Sequence, residues 1–167
     1  MGTKLKQLSI ALWQPILLAA YTAVMIFIFS LYKISALDWA VGIGALSSSA
    51  FIVITSPKKI SAQNKNLILS YIIAILFALL VHIIKVNSNL ILHSTNIHMN
   101  ESWMVFIILF ATLVMAKFSI YHPPAAGLSM VLAVDNFNMP TVFIICFGVL
   151  LLALINRLLH DYLKDLF

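Results

Sequence analysis

The residues best able to do chemistry surround a His-Pro-Pro sequence, in the stretch KFSIYHPPAAG from Lys117 to Gly127. His122 can donate a hydrogen bond and can titrate near neutral pH. A residue before proline is disfavoured in helical conformation, whereas proline suits the first position of a helix, where an N–H would have no partner. The prolines Pro123 and Pro124 are therefore expected to end one helix and to begin another at or near Pro124.

The backbone after the prolines predicts an anion site. The first turn of a helix leaves N–H groups without partners and carries partial positive charge, and Ala125, Ala126 and Gly127 have side chains small enough for a ligand to reach that backbone. His122 would donate a further hydrogen bond and Lys117 would supply full charge. The alternative interpretation is a tight turn at the membrane surface, with both side chains reaching water.

Two further groups of polar residues interrupt apolar sequence. Asn156 and Arg157 lie in LLALINRLLHDY, where Arg157 either faces an anion pathway or anchors the helix at lipid headgroups. Lys58, Lys59 and Lys65 follow an apolar block, which is typical of residues that fix topology and bind anionic lipid.

The composition identifies the environment in which these residues work. Of 167 residues 63% are hydrophobic and 9% are charged, with a mean hydropathy of +1.08, whereas soluble domains carry about 25% charged residues. An integral membrane protein is indicated, and the net charge of +5 is better explained by cytoplasmic loops than by nucleic-acid binding. No hydrolase, metalloprotease or nucleotide-binding motif is present, so we expect neither an enzyme nor a metal or other cofactor.

The apolar blocks predict an all-α, polytopic helix bundle forming one transmembrane domain over residues 1–167. The five long helices and the short one are expected at about 13–32, 39–55, 67–86, 103–120 and 141–159, and at 123–134. Twelve helical residues span about 18 Å, against about 30 Å of hydrocarbon, so the short helix is either a re-entrant half-helix or a short crossing helix buried among the others.

The distribution of cations predicts the orientation. The N-terminal tail and the loop before the third block are rich in lysine, whereas the loop at 87–101 has neither Lys nor Arg. This pattern places the N-terminus in the cytoplasm, and the expected location is a bacterial inner membrane. Six crossings are favoured over five because they place Arg157 on the cytoplasmic side. So few helices would hardly enclose a pathway alone, so we expect a homo-oligomer.

A run of small residues, GIGALSSSA, predicts close helix packing in the second block. Gly42, Leu46 and Ser49 or Ala50 share one helix face, and Gly44 and Ser48 lie on a neighbouring face. A second hypothesis for function follows from this run: a membrane scaffold or subunit that binds a partner protein without transporting anything.

Three blocks of the sequence, in order, resemble the HPP family of integral membrane proteins. YHPPAAGLSMVLAV is similar to the family's signature, GIGALSSSAFIVITSPKKISAQNKNLILS to its first conserved block, and LLALINRLL to its closing Asn-Arg-Leu element. The resemblance implies a small multi-helix membrane protein with a transport role, and nitrite carriage is attributed to chloroplast and cyanobacterial relatives. The predicted function is therefore a small-anion transporter or channel, with lipids and an inorganic or organic anion as partners.

The sequence also departs from this family pattern. Gln63-Asn64-Lys65-Asn66 stands where the family has a Gln-Pro-Arg-Asn-like segment, so a point charge replaces a planar guanidinium. Ser70 and Tyr71 stand where the family tends to have Gly and His, and Leu128 where it often has Thr.

Overall fold

The computed structural model describes residues 2–32, 34–91, 99–134 and 139–166. Within these ranges the chain forms six α-helices and one turn of 3-10 helix at Ile60–Ala62. The α-helices are α1 (Gly2–Ser30), α2 (Ala36–Thr55), α3 (Asn64–Ile91), α4 (Met99–Lys117), α5 (Pro123–Val134) and α6 (Met139–Leu159). The predicted all-α bundle of long helices plus one short helix is confirmed.

Four of these helices are long and apolar enough to cross a membrane: Leu12–Ser30, Asp38–Thr55, Asn64–Ile84 and Met139–Leu159. Val105–Lys117 and Pro123–Ala133 are shorter apolar segments. Because lipid offers no hydrogen bonds, apolar sequence of this length satisfies its backbone by forming helix throughout.

The fourth helix ends earlier than predicted, and for a different reason. It stops at Lys117 rather than near 120, because Ser119 adopts the left-handed conformation with φ of 55°. The N–H of Ser119 donates to the carbonyl of Ala116 over 3.0 Å, and that of Ile120 donates to Met115 over 2.8 Å. This pair of bonds is a Schellman motif, and the buried side chains of Ile120 and Met115 supply its usual apolar residues. The expectation that the prolines end this helix is therefore wrong.

The prolines instead begin the next helix. Pro123 is the first residue of α5, which matches the predicted range of 123–134, and the fixed φ of proline suits that place. The helix packs against α2, α3 and α4. It is therefore enclosed by neighbouring helices, with Ala125, Leu128, Ser129, Leu132 and Ala133 buried.

Contacts at the two ends of the bundle show that the chain traverses it between α4 and α6. His122, just before α5, contacts Ser61 next to the end of α2. At the opposite end Thr141, near the start of α6, donates to the carboxylate of Asp38, near the start of α2, over 3.4 Å. The segment that contains α5 therefore leads from one end of the bundle to the other.

The end of the bundle that holds Ser61 and His122 also carries most of the positive charge, and we call it the cationic end. By their positions in the described parts of the chain, eight Lys and Arg residues belong to this end: Lys4, Lys6, Lys58, Lys59, Lys65, Lys117, Arg157 and Lys164.

The C-terminal tail is tied to this end. The side-chain amide of Gln14, fully buried on α1, donates to the carbonyls of Ile54 and Lys164. The N–H of Leu166 donates to Thr55 over 2.8 Å. These bonds satisfy carbonyls that the end of α2 would otherwise leave without partners.

Candidate functional site

The side chain of His122 is buried in the bundle, with 2% of its surface exposed. The Schellman motif turns the chain after α4, and Pro123 fixes the start of α5, so that His122 occupies the residue before the helix. This geometry excludes the alternative in which His122 reaches water at the membrane surface.

The imidazole of His122 is held at both nitrogens. Nδ1 lies 2.8 Å from the carbonyl oxygen of Ser61, and because a carbonyl only accepts, Nδ1 carries the hydrogen. Nε2 lies 2.7 Å from the hydroxyl of Ser49 on α2. That hydroxyl is 2.8 Å from the hydroxyl of Tyr71 on α3, which also lies 2.9 Å from the carbonyl oxygen of Ala45. We call the three linked side chains, His122, Ser49 and Tyr71, the histidine chain.

Burial and hydrogen bonding act on the pKa of His122 in opposite directions. Burial, the larger effect, lowers the pKa of the imidazole because the cation loses solvation. The hydrogen bond to Ser61 raises it. The net pKa is below the ordinary value of a histidine, so the neutral ring is favoured at neutral pH.

The predicted anion cradle at the start of α5 has few donors to offer. Pro123 and Pro124 have no N–H, and the N–H of Ala125 donates to the carbonyl of His122 over 3.2 Å. Ala125 is fully buried and Ala126 is 7% exposed. Of the predicted cradle only Gly127 borders open space, with no atom within 4 Å of where a Cβ would lie. The first three positions of α5 therefore present no free N–H to an anion.

The predicted cations lie on the surface of the bundle. Lys117, the last residue of α4, has an exposed side chain, and so do Lys58, Lys59 and Lys65 near the start of α3. Their side chains are therefore placed to meet water or lipid headgroups, and Lys117 does not join the buried histidine chain.

Asn156, in contrast, is buried and lies against the start of α3 and the turn before it. Its Nδ2 donates to the carbonyl of Ala62 over 3.0 Å and to Oδ1 of Asn64 over 2.7 Å. Nδ2 of Asn64 in turn donates to the carbonyl of Ala153 over 3.1 Å, so the two amides join α3 to α6. Oδ1 of Asn156 is buried without a hydrogen-bond partner among the described residues.

The 3-10 turn at Ile60–Ala62 is where these contacts meet. Its three successive carbonyls each accept a hydrogen bond from a different side chain: Ile60 from Asn66 over 2.6 Å, Ser61 from His122, and Ala62 from Asn156. The turn, the residue before α5 and the end of α6 are thereby fixed to one another.

An open pocket of about 340 Å³ borders this turn at the cationic end. It is lined by Pro57, Gln63, Asn64, Asn156, Arg157 and His160, and we call it the polar pocket. A guanidinium, an imidazole and a side-chain amide are all able to donate to an anion. Arg157 and Asn156, which the sequence groups together, thus line the same cavity, whereas Lys117 does not line it.

The predicted small-residue faces of α2 differ from each other. Gly42 is buried, and a Cβ there would lie 2.5 Å from the ring of Phe29, so close helix packing depends on this glycine. Gly44 and Ser48 are exposed, and a Cβ at Gly44 would meet no atom within 4 Å. Of the two predicted small-residue faces, the one with Gly42, Leu46 and Ser49 packs inside the bundle and the one with Gly44 and Ser48 does not.

Most partners in the histidine chain and the polar pocket are not evident from the sequence. The sequence assigns Ser49 only to the packing face of α2, and Tyr71 stands out only as a departure from a family pattern. Gln63, Asn64 and His160 could have been singled out as polar residues beside an apolar helix end. The contact between Ser61 and His122 spans 61 residues and carries no local signal.

Six apolar helices enclosing a small set of hydrogen-bonded polar side chains define an integral membrane protein of the helical class. The chain matches the family described as HPP, transmembrane region, over residues 4–165. It therefore belongs to the HPP family, as the three sequence blocks indicated. Comparisons with the curated proteins and with the solved structures give no significant match.

Proposed function

We propose that the protein is a small-anion transporter or channel, and that the polar pocket is where the anion enters from the cationic end. The observation that carries the proposal is the lining of that pocket: Arg157 and His160 face a cavity whose other polar walls are the amides of Gln63, Asn64 and Asn156. Nitrite is the candidate substrate that the family resemblance implies.

The residues around the pocket divide into groups that bind the anion and groups that hold the walls in place. Arg157 supplies charge and a planar fork of donors that fits an oxyanion, and His160 and Gln63 supply further donors. Asn156 and Asn64 are positioning residues, because their amides are committed to each other and to backbone carbonyls. This assignment moves the anion away from the start of α5, where Pro123, Pro124 and Ala125 offer no free donor.

The exposed cations act at longer range. Lys58, Lys59, Lys65 and Lys117 raise the local concentration of anions and bind acidic lipid headgroups. By the tendency of Lys and Arg to remain in the cytoplasm, the cationic end and the N-terminus face the cytoplasm. A bacterial inner membrane and a homo-oligomer complete the proposal, and no catalytic role is assigned to any residue.

Uptake by purified protein in liposomes tests this function. Nitrite, nitrate, formate and chloride are supplied in turn under an imposed gradient, and wild-type protein is expected to move at least one of them. Arg157→Gln removes hydrogen bonds to a charged ligand, which are each worth about 1.5–3 kcal/mol, so it should reduce initial uptake at low substrate concentration about tenfold or more.

Lys117→Gln is the matched control, since it removes one cation from the same end but not from the polar pocket. Its uptake should stay within about twofold of wild type in vesicles at physiological salt, where exposed charges are screened. Wild-type protein that moves none of the four anions, or equal losses in the two variants, would contradict the proposal.

A second candidate, a membrane scaffold or subunit, is favoured by one observation. Gly44 and Ser48 are exposed one turn apart on α2, which is the spacing that lets another helix approach closely in lipid. This candidate predicts that Gly44→Leu abolishes cross-linking to a second copy or partner in membranes, while His122→Ala leaves every anion flux unchanged.

A further inference from the structure

The histidine chain contains four close contacts, and each needs one hydrogen atom to become a hydrogen bond. The contacts join Ser61 to His122, His122 to Ser49, Ser49 to Tyr71, and Tyr71 to Ala45, over 2.8, 2.7, 2.8 and 2.9 Å. A neutral imidazole supplies one hydrogen, and each of the two hydroxyls supplies one. The neutral chain is therefore one hydrogen short of its contacts.

In the neutral state, one arrangement of the three hydrogens leaves only the contact between Tyr71 and the Ala45 carbonyl without a hydrogen. Nδ1–H of His122 donates to Ser61, the hydroxyl of Ser49 donates to Nε2, and the hydroxyl of Tyr71 donates to Ser49. The carbonyl of Ala45 then accepts no hydrogen bond from Tyr71, but it still accepts one from the hydroxyl of Ser48 on the same helix, 3.0 Å away. The neutral chain is thus satisfied with its hydrogens directed from Tyr71 toward His122.

In the cationic state there is one hydrogen for each of the four contacts, because the imidazolium supplies two and each hydroxyl supplies one. Nε2–H of His122 donates to Ser49, the hydroxyl of Ser49 turns to donate to Tyr71, and the hydroxyl of Tyr71 turns to donate to Ala45. Both hydroxyls reverse direction by rotation about their C–O bonds, and no covalent bond within the chain breaks. One N–H bond forms at Nε2 as one O–H bond of a hydronium ion breaks, and a water molecule is left in the solvent.

We propose that His122 is a proton-binding site, and that the proton it takes up is the coupling ion of the anion transport proposed above. The histidine chain accepts that proton without leaving a buried donor unpaired, and the charged ring donates a hydrogen bond to Ser49. This inference about coupling rests on the proposed function, whereas proton binding itself is a property of the histidine chain.

The connection between the proton and the anion is the 3-10 turn. His122 donates to the carbonyl of Ser61, and Asn156, a wall of the polar pocket, donates to the next carbonyl, Ala62. A change in the bond at Ser61 therefore acts on the same short turn that fixes the pocket. An anion in the pocket would in return stabilise the nearby imidazolium.

The surroundings of the ring contain one other titratable group among the described residues in contact with it. Tyr71 on α3 faces it with ring centres 5.9 Å apart, and α2 and the turn contribute only Ser49 and the Ser61 backbone. α5 carries no titratable residue. At the cationic end the charged residues whose side chains are described are exposed: Lys58, Lys59, Lys65, Lys117, Arg157, Asp161, Lys164 and Asp165. Asp38, near the start of α2, is buried at the opposite end of the bundle. Since desolvation lowers the pKa of His122, uptake occurs on the acid side of neutrality.

Nitrogen NMR of the whole chain in lipid nanodiscs, with 15N-labelled histidine, measures proton binding directly. The chain has five histidines, and the His122→Gln variant identifies the signal of His122. Its Nε2 resonance is expected to change from the acceptor to the donor position as pH falls, with a midpoint below the ordinary value of about 6.5. A resonance that stays neutral down to pH 4 in folded protein would overturn the proton site.

Ser49→Ala tests the contribution of the chain. Hydrogen bonds to charged groups are stronger than neutral ones by about 1 kcal/mol, so losing the acceptor of Nε2–H should lower the midpoint by about 0.7 pH unit. Ser47→Ala is the matched control: it removes a hydroxyl on the same helix that has no hydrogen-bond partner among the described residues, and should leave the midpoint in place. Should Ser49→Ala not fold, Tyr71→Phe removes only the terminal hydroxyl and is expected to lower the midpoint as well. An unchanged midpoint in the folded variant would overturn the assignment of the chain.

Simultaneous recording of anion and proton movement in liposomes separates the two proposals. Proton uptake that follows anion uptake in wild type, and is lost in His122→Gln, is the expected result. Anion uptake without proton movement would overturn the coupling and leave the proposed function intact. If no anion moves, the proposed function and the coupling both fail, and the NMR titration still decides whether His122 binds a proton.

Discussion

Nδ2 of Asn156 donates to Oδ1 of Asn64 over 2.7 Å, which joins two residues 92 positions apart in the chain. The same nitrogen donates to the carbonyl of Ala62, and Asn64 returns a bond to the carbonyl of Ala153. Because each amide nitrogen faces only acceptors, the orientation of both side chains is determined. The pair ties the start of α3 to the end of α6 and fixes the inner wall of the polar pocket.

Asn156→Leu should destabilise the protein by about 2 kcal/mol. The substitution is close to isosteric, but it leaves the carbonyl of Ala62 and Oδ1 of Asn64 without their donor in a buried place, and an unsatisfied buried group costs about 1–3 kcal/mol. Thermal unfolding in detergent, followed by tryptophan fluorescence, measures the change. Leu154→Ala on the exposed face of α6 is the control and should change little. If Asn156→Leu were as stable as wild type, the amide pair would be dispensable.

The sequence predicts the helices of this fold better than it predicts the site. Apolar runs of the length of a membrane determine helix number and approximate bounds, because lipid admits few alternatives. The end of α4 at Lys117 could not be predicted in this way, because it depends on the left-handed conformation of Ser119, which has no sequence signature. The partners of His122 could not be predicted either, because Ser49 lies 73 residues away and only the packing of α2 against α5 brings the two together.

Ser119→Gly should stabilise the protein by about 1 kcal/mol. Ser119 has φ of 55° at the C′ position of α4, where a side chain costs about 1–2 kcal/mol and glycine costs none. Ser48→Gly is the matched control with the opposite expected sign: it lies inside α2, where the helix propensity of glycine is less favourable than that of serine by roughly 0.5 kcal/mol. Both changes are read from the midpoint of thermal unfolding in one detergent. A loss of stability in Ser119→Gly would contradict the assignment of the Schellman motif.

Gly42→Ala and Gly44→Ala should move stability in opposite directions. A Cβ at Gly42 would lie 2.5 Å from the ring of Phe29, so the ring or α2 must shift, at a cost of about 1–3 kcal/mol. A Cβ at Gly44 would meet no atom within 4 Å, so the higher helix propensity of alanine should add about 0.5–1 kcal/mol. Parallel melting curves of the two variants test the pair. Equal effects would mean that the two faces of α2 are not distinguished by packing.

Acidification should destabilise the folded protein through His122. Burial holds the pKa of this imidazole below its unfolded value of about 6.5, so between the two pKa values the unfolded chain binds more protons than the native one. Stability therefore falls as pH is lowered through this window and levels off once the native ring is also protonated. The contribution of His122 to the free energy of unfolding is the difference between wild type and His122→Gln, measured by thermal unfolding at successive pH values. The subtraction cancels the contributions of the other histidines. In Ser49→Ala, where the native pKa should be lower still, the decline should continue to lower pH. A difference independent of pH between 4 and 7 would mean that the imidazole has the same proton affinity in the folded and unfolded chains.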